Sequence, residues 1–150
     1  MTNVAVQQDI KTLLNQQVAN LNVLYVKLHS YHWFVKGPMF FQLHEKFEEL
    51  YNEITLKMDD VAERLLTIGG KPHSTLKQYL EHTTLKESTG NENAEQMVKQ
   101  LVADLKQLVS EFEQAMEAAE EANDEATGDV FLGMKADFEK HVWMFEAYLG

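Results

Sequence analysis

The 150-residue chain has no cysteine and only two prolines, and its 13 basic residues are outnumbered by 24 acidic ones. Without cysteine there are no disulfides, thiolate metal sites or cysteine nucleophiles, a composition compatible with a reducing compartment. No apolar run is long enough to cross a bilayer. The opening MTNVAVQQDIKTLL has neither a basic n-region nor an apolar h-region, so the expected address is cytoplasmic, with no membrane partner. Strand signals, sequence repeats and low-complexity tracts are also missing. The net charge of −11 repels phosphate backbones and attracts cations, which makes nucleic acid a poor default partner.

What is present is helical periodicity. The length fits one domain, residues 1–150, able to bury roughly 68–70% of its unfolded surface. Ile10, Leu13, Leu14, Leu21, Leu24 and Leu28 recur at three- and four-residue spacings, predicting an amphipathic helix from about Asp9 to Val35. Gly37-Pro38 ends it. Leu43, Phe47, Leu50, Ile54, Met58, Val61 and Leu65 mark a second helix from about Met39 to Ile68, closed by Gly69-Gly70. A crossover from Lys71 to Asn93 holds Pro72 and a short helix in STLKQYLEH, expected to be capped by Ser74. A third helix begins near Asn93, with Gln96 placed for a capping box, and a fourth spans about Thr127 to Leu149. Two short links and one long crossover predict an all-α, ferritin-like four-helix bundle whose second and third helices run parallel.

Set into the first two helices are His32, His44, Asp59 and Glu63, a ligand set for iron, zinc or manganese. Most di-iron bundles use Glu-x-x-His pairs within one subunit. None exists here: the residues three before the six histidines are Val26, His29, Phe41, Gly70, Tyr79 and Phe138. His44 and Asp59 lie on one helical run, and their 15-residue separation is roughly 22 Å at about 1.5 Å per residue. They cannot share an ion within one chain. A two-fold axis that sets the second helix antiparallel to its own copy brings Asp59 and Glu63 of one subunit beside His44 of the other, with His32 completing the shell. Glu48, one turn after His44, is placed to touch a second ion. Taken singly, His32-Trp33 reads as packing and either acid as solvated surface, with Lys57 and Arg64 as neighbouring counter-charges; the combined spacing favours the metal reading.

The stretch HSYHWFVKGPMFFQLHEKFEELYNEITLKMDDVAERLLTIGGKP, followed by KHVWMFEAYLG, resembles the Dps family of mini-ferritins. The resemblance rests on His32-Trp33, Gly37, Phe41, Leu43-His44, Asp59, Ala62-Glu63-Arg64 and Gly69-Gly70 and extends over nearly the whole chain. It implies a homo-oligomeric hollow shell of twelve subunits, in which His32 and His44 of one subunit and Asp59 and Glu63 of its two-fold mate bind Fe(II). It also implies ferroxidase activity with hydrogen peroxide and storage of Fe(III) as mineral, a protection against oxidative stress.

The same resemblance places Asp124, Glu125 and Asp129 at a three-fold axis, where acidic side chains line a cation pore. Glu45 and Glu49 fit a mineral-nucleating inner face about as well as an ordinary exposed one. Trp33 is placed as an electron donor or radical sink, with packing equally open. His29, His73, His82 and His141 read as packing or surface residues. Some family members coat DNA through lysine-rich tails, but no arginine and no lysine precedes Lys11 here and the chain stops at Leu149-Gly150. Direct DNA binding is therefore disfavoured. A metal-binding bundle without redox turnover is a third reading, since Zn(II) accepts the same ligands.

Overall fold

The computed structural model describes residues 3–150, with five helices in the order α1 (Asn3–Phe34), α2 (Phe40–Thr67), α3 (Leu76–His82), α4 (Ala94–Glu121) and α5 (Glu125–Leu149). α1 starts earlier than the apolar stripe predicts. Residues 3–8 contain no glycine or proline to stop propagation, so the helix extends beyond its buried face. α2 ends as expected: Gly69 takes a positive φ of 85°, and the Gly69 and Gly70 amides donate to the carbonyls of Leu66 and Leu65 at 3.0 and 2.8 Å. A Cβ on Gly70 would collide with the Leu65 side chain, so close approach demands the second glycine.

Two boundaries correct the sequence reading. Thr75, not Ser74, caps α3, accepting from the Gln78 amide at 3.2 Å while the Gln78 side chain reaches back to the Ser74 amide at 2.9 Å. α5 begins at Glu125 rather than Thr127, because Asp124 is the cap and Thr127 supplies the amide it accepts from, at 3.1 Å. The box at the start of α4 forms as expected, with Asn93 and Gln96 exchanging side-chain to backbone bonds, both 2.9 Å.

Polar cross-ties fix the topology. Along α1, Asn15 holds Lys71 and His73, Asn20 holds Thr83 and Thr84, Lys27 holds the Lys86 carbonyl and Ser30 holds Ser88. The crossover therefore climbs beside α1 in the same direction and delivers α4 at the far end. α4 then descends: Lys27 meets Asp104 at 2.7 Å, whereas Gln17 and Asn20 meet Glu111. Between α2 and α5, Glu53 pairs with His141, Lys57 with Asp137 and Arg64 with Asp124, again an antiparallel register. These ties define the up-down, crossover, up-down connection of a ferritin-like bundle.

The bundle interior is mostly apolar, with Leu14, Leu28, Leu50, Ile54, Leu105 and Phe131 fully or almost fully buried and the hydrogen-bonded Gln17 and Asn20 buried among them. Phe112 anchors its α4–α5 half, its ring centroid 5.6 Å from Phe131 and 5.2 Å from Phe138. Each such side chain contributes about 1.5–3 kcal/mol by leaving water. The Lys27–Asp104 pair is the charged exception, almost wholly buried. With the core filled this way, Asp59, Glu63, Glu48, Glu125 and Asp129 are exposed, whereas His32 is buried at the end of α1.

Candidate metal centre

The short Val35–Met39 link folds the end of α1 against the start of α2, and this brings two of the predicted ligands together. The His32 and His44 rings stack with centroids 3.7 Å apart and planes 13° from parallel. The Nδ1–H of His32 donates to the His44 carbonyl, and the Nδ1–H of His44 donates to the His32 carbonyl, each at 2.7 Å. A carbonyl can only accept, so both imidazoles must carry the proton on Nδ1. In its neutral form each ring has its lone pair on Nε2, the form that binds a metal, and neither Nε2 has a hydrogen-bond partner among the described residues. Phe40 packs on the outer face of His44 at 4.9 Å and further restricts ring rotation.

Asp59 and Glu63 stand far along the same uninterrupted α2, exposed on successive turns. The basic residues that would have made them ordinary surface pairs are engaged elsewhere. Lys57 binds Asp137 at 2.5 Å, and Arg64 binds Asp124 at 2.9 Å and the Thr127 hydroxyl at 2.9 Å. The Asp59 and Glu63 carboxylates have no ion-pair or hydrogen-bond partner among the described residues. No group of three or more metal-ligating side chains converges within one chain among those residues. The subunit thus presents two imidazoles at one end of α2 and two unpaired carboxylates towards the other.

Glu48 is exposed and accepts a hydrogen bond from the Tyr51 hydroxyl at 3.3 Å. Tyr51 was not singled out in the sequence, although it lies seven residues after His44 and so on the same helical face. Its ring meets His32 edge-on at 5.4 Å, stacks on His29 at 3.8 Å and faces Tyr25 at 6.1 Å. His29 is held by a bond from its Nδ1 to the Tyr25 carbonyl at 3.0 Å and lies 5.4 Å from the Trp33 ring. Trp33 itself is 65% exposed.

At the α4–α5 turn, Glu113, Glu117, Glu120, Glu125 and Asp129 surround an open acidic depression with Asp124. Asp124 is tied down within it: its carboxylate caps α5, accepts the Thr127 hydroxyl at 2.5 Å and pairs with Arg64. Burial pushes the Asp124 carboxyl up, but the Thr127 and Arg64 contacts outweigh it and hold the group below its usual value. Glu125 and Asp129 are exposed, and Glu113 pairs with Lys135. Glu45 and Glu49 are exposed on α2, with Glu49 bonded to Lys46 at 3.1 Å.

The other histidines have defined surroundings. His73 and His82 stack at 4.1 Å where the crossover enters and leaves α3. His141 is more than packing: its Nε2–H donates to Glu53 at 2.8 Å, and this bond holds the Glu53 carboxyl below its usual value against the opposing effect of burial. No helix among the described residues is long and apolar enough to cross a membrane.

The Ferritin family, described as a ferritin-like domain, matches residues 11–150. The fold superposes with a TM-score of 0.97 on the crystal structure of a Dps protein from Bacillus brevis, at 53% identity over 100% of this chain and 99% of the other. The DNA protection during starvation protein of Brevibacillus brevis is 54% identical over 145 residues, 97% of each chain. Dps from Listeria innocua, in a crystal soaked with zinc, is 46% identical with a TM-score of 0.91, covering 94% of this chain and 96% of that one. The class is ferritin-like. Within it, the chain belongs to the Dps family.

Proposed function

We propose that this protein is a ferroxidase and iron store: it oxidises Fe(II), preferentially with hydrogen peroxide, at sites shared by two subunits, and keeps Fe(III) as mineral inside a shell of twelve. The observation that carries this reading is the reciprocal Nδ1–carbonyl exchange between His32 and His44, which sets both Nε2 lone pairs free in one orientation. A fixed pair of imidazoles alone is an incomplete site. The unpaired Asp59 and Glu63 supply the complementary carboxylates, and an α2 laid antiparallel to its own copy joins the two halves twice over, once for each subunit.

The donor set suits the chemistry. Oxygen ligands favour Fe(III) over Fe(II), so two carboxylates beside two neutral imidazoles promote loss of an electron. With Glu48 one turn from His44, a second Fe(II) can bind close by, and two ions together reduce peroxide to water without a one-electron route to hydroxyl radical. Glu125 and Asp129, with Asp124 held between its cap and Arg64, attract Fe(II) towards a three-fold passage, and Glu45 and Glu49 offer carboxylates to a growing mineral. Zn(II) is a competent competitor for the same ligands, in keeping with the zinc-soaked relative.

The relatives' name also raises DNA protection. With a net charge of −11, protection by removing iron and peroxide fits this chain better than a direct coat on DNA. The test of the main reading is anaerobic loading with Fe(II), then stoichiometric peroxide, with iron oxidation and peroxide consumption both recorded. Coupled two-to-one consumption supports it; tight metal binding without oxidation leaves the redox-silent bundle.

A further inference from the structure

Three oxidisable rings surround the imidazole pair, and the structure distinguishes among them. Tyr31 adjoins His32 in sequence, but its ring is fully buried against Phe47 at 5.8 Å and its hydroxyl has no hydrogen-bond partner among the described residues. A phenol can give up an electron readily only if its proton leaves with it, and Tyr31 has nowhere to send one. Trp33 is 65% exposed, and its ring contact is with His29, which in turn stacks on Tyr51 and not on the pair. Tyr51 alone combines direct ring contact with His32 and a carboxylate on its hydroxyl.

We infer that Tyr51 is an electron-donating residue of this centre, giving one electron through the edge of His32 while Glu48 takes the phenolic proton. The inference rests on the ferroxidase reading above and names what happens when only one Fe(II) occupies a site. Hydrogen peroxide needs two electrons and two protons to become two waters, and a single Fe(II) provides one electron. Tyr51 provides the other: Fe(II), the phenol, hydrogen peroxide and one proton yield Fe(III), the neutral tyrosyl radical and two waters. The phenolic proton passes to Glu48, which is exposed to solvent, and from there joins the second proton on the reduced oxygens. A later Fe(II) with one proton returns the radical to tyrosine and becomes Fe(III). The one-electron product, hydroxyl radical, is thereby avoided even at low iron.

The surroundings suit that role. The 3.8 Å stack on His29, with planes 21° apart, holds the Tyr51 ring in place without competing for its hydroxyl. Tyr51 is therefore a partner of the site and not a ligand of iron.

The experiment uses the assembled protein under anaerobic conditions, loaded with one Fe(II) per site, mixed with peroxide and frozen on the millisecond scale for electron paramagnetic resonance. A transient tyrosyl signal is expected, absent from Tyr51→Phe and retained in Trp33→Phe, Tyr31→Phe and Tyr25→Phe. Hydroxyl radical caught with a spin trap at one Fe(II) per site should be scarce in the wild type and should rise severalfold in Tyr51→Phe, because the lone iron then reduces peroxide by one electron. Should Tyr51→Phe fail to assemble, ring-deuterated tyrosine and elimination decide together: the signal must narrow, and it must persist in Tyr25→Phe, Tyr31→Phe, Tyr79→Phe and Tyr148→Phe, which leaves Tyr51. Normal iron oxidation with no tyrosyl signal, a signal that survives Tyr51→Phe, or one that does not narrow on deuteration overturns the inference while leaving the ferroxidase reading intact. No iron oxidation in the wild type removes both.

Discussion

His32 and His44 each donate an Nδ1–H to the other's main-chain carbonyl, both at 2.7 Å, so the orientation of each ring is fixed by the backbone of its partner. Because the acceptors are main-chain atoms, changing one side chain leaves the other's anchor in place. His44→Ala should therefore keep the His32 proton on Nδ1, removing one hydrogen bond worth about 1 kcal/mol while lowering Zn(II) or Fe(II) affinity by at least about tenfold. Calorimetric metal titration alongside chemical denaturation measures both. Metal affinity equal to wild type would mean that His44 is not a ligand.

Acid stability should depend on two carboxylates remote from the imidazoles. The bond from His141 holds Glu53 below its usual value, and the contacts of Asp124 with Thr127 and Arg64 outweigh burial to hold that group down as well. A depressed folded-state value means that the stabilisation is present above the ordinary carboxylate range and is lost as pH falls through the depressed values. Glu53→Gln and Asp124→Asn should each flatten the acid limb of a plot of denaturation midpoint against pH. An unchanged limb in both variants would show that the contacts carry no pH-dependent stability.

Cation uptake at the α4–α5 turn should be separable from iron chemistry. Glu125→Gln with Asp129→Asn removes two exposed charges per subunit while sparing the Asp124 cap. Oxidation started by mixing with Fe(II) should slow, most at low ionic strength where attraction is least screened, and should recover after anaerobic preincubation with saturating Fe(II). Stopped-flow traces with and without preincubation make the comparison; identical rates at low salt would return this cluster to a solvated surface.

Much of this was readable from residues because helical bundles write their architecture in spacing. The stripes from Ile10 to Leu28 and from Leu43 to Leu65, the Asn93–Gln96 box and the glycine pair at 69 and 70 each specify a local structure that tertiary packing only reinforces. Boundaries slipped where two adjacent residues compete for one role, as Ser74 and Thr75 do at α3, or where a cap reads as part of an acidic run, as Asp124 does before α5. The separation of His44 from Asp59 was legible from helix rise alone. The reciprocal carbonyl bonds were not, since they depend on how the Val35–Met39 link seats two helix ends. Nor was the engagement of Lys57 and Arg64 by α5, which comes from residues some 60 to 80 positions away and is what leaves Asp59 and Glu63 unpaired.

Direct DNA contact should be absent. Purified, metal-free protein at neutral pH and physiological salt is expected to leave duplex DNA unshifted in a gel, given a net charge of −11 and the steep salt dependence of phosphate-driven binding. A shifted band under those conditions would contradict this.

The sharing of each site across a two-fold axis is tested most directly by mixed assembly. Shells are built from subunits carrying His32→Ala/His44→Ala together with subunits carrying Asp59→Ala/Glu63→Ala, and peroxide-driven iron oxidation is measured against each double mutant alone. Each alone should be inactive, whereas a mixed pair restores one complete site and leaves its other site fully disrupted, so activity should reappear in the mixture. Continued inactivity in shells proven to contain both kinds of subunit would contradict the shared centre.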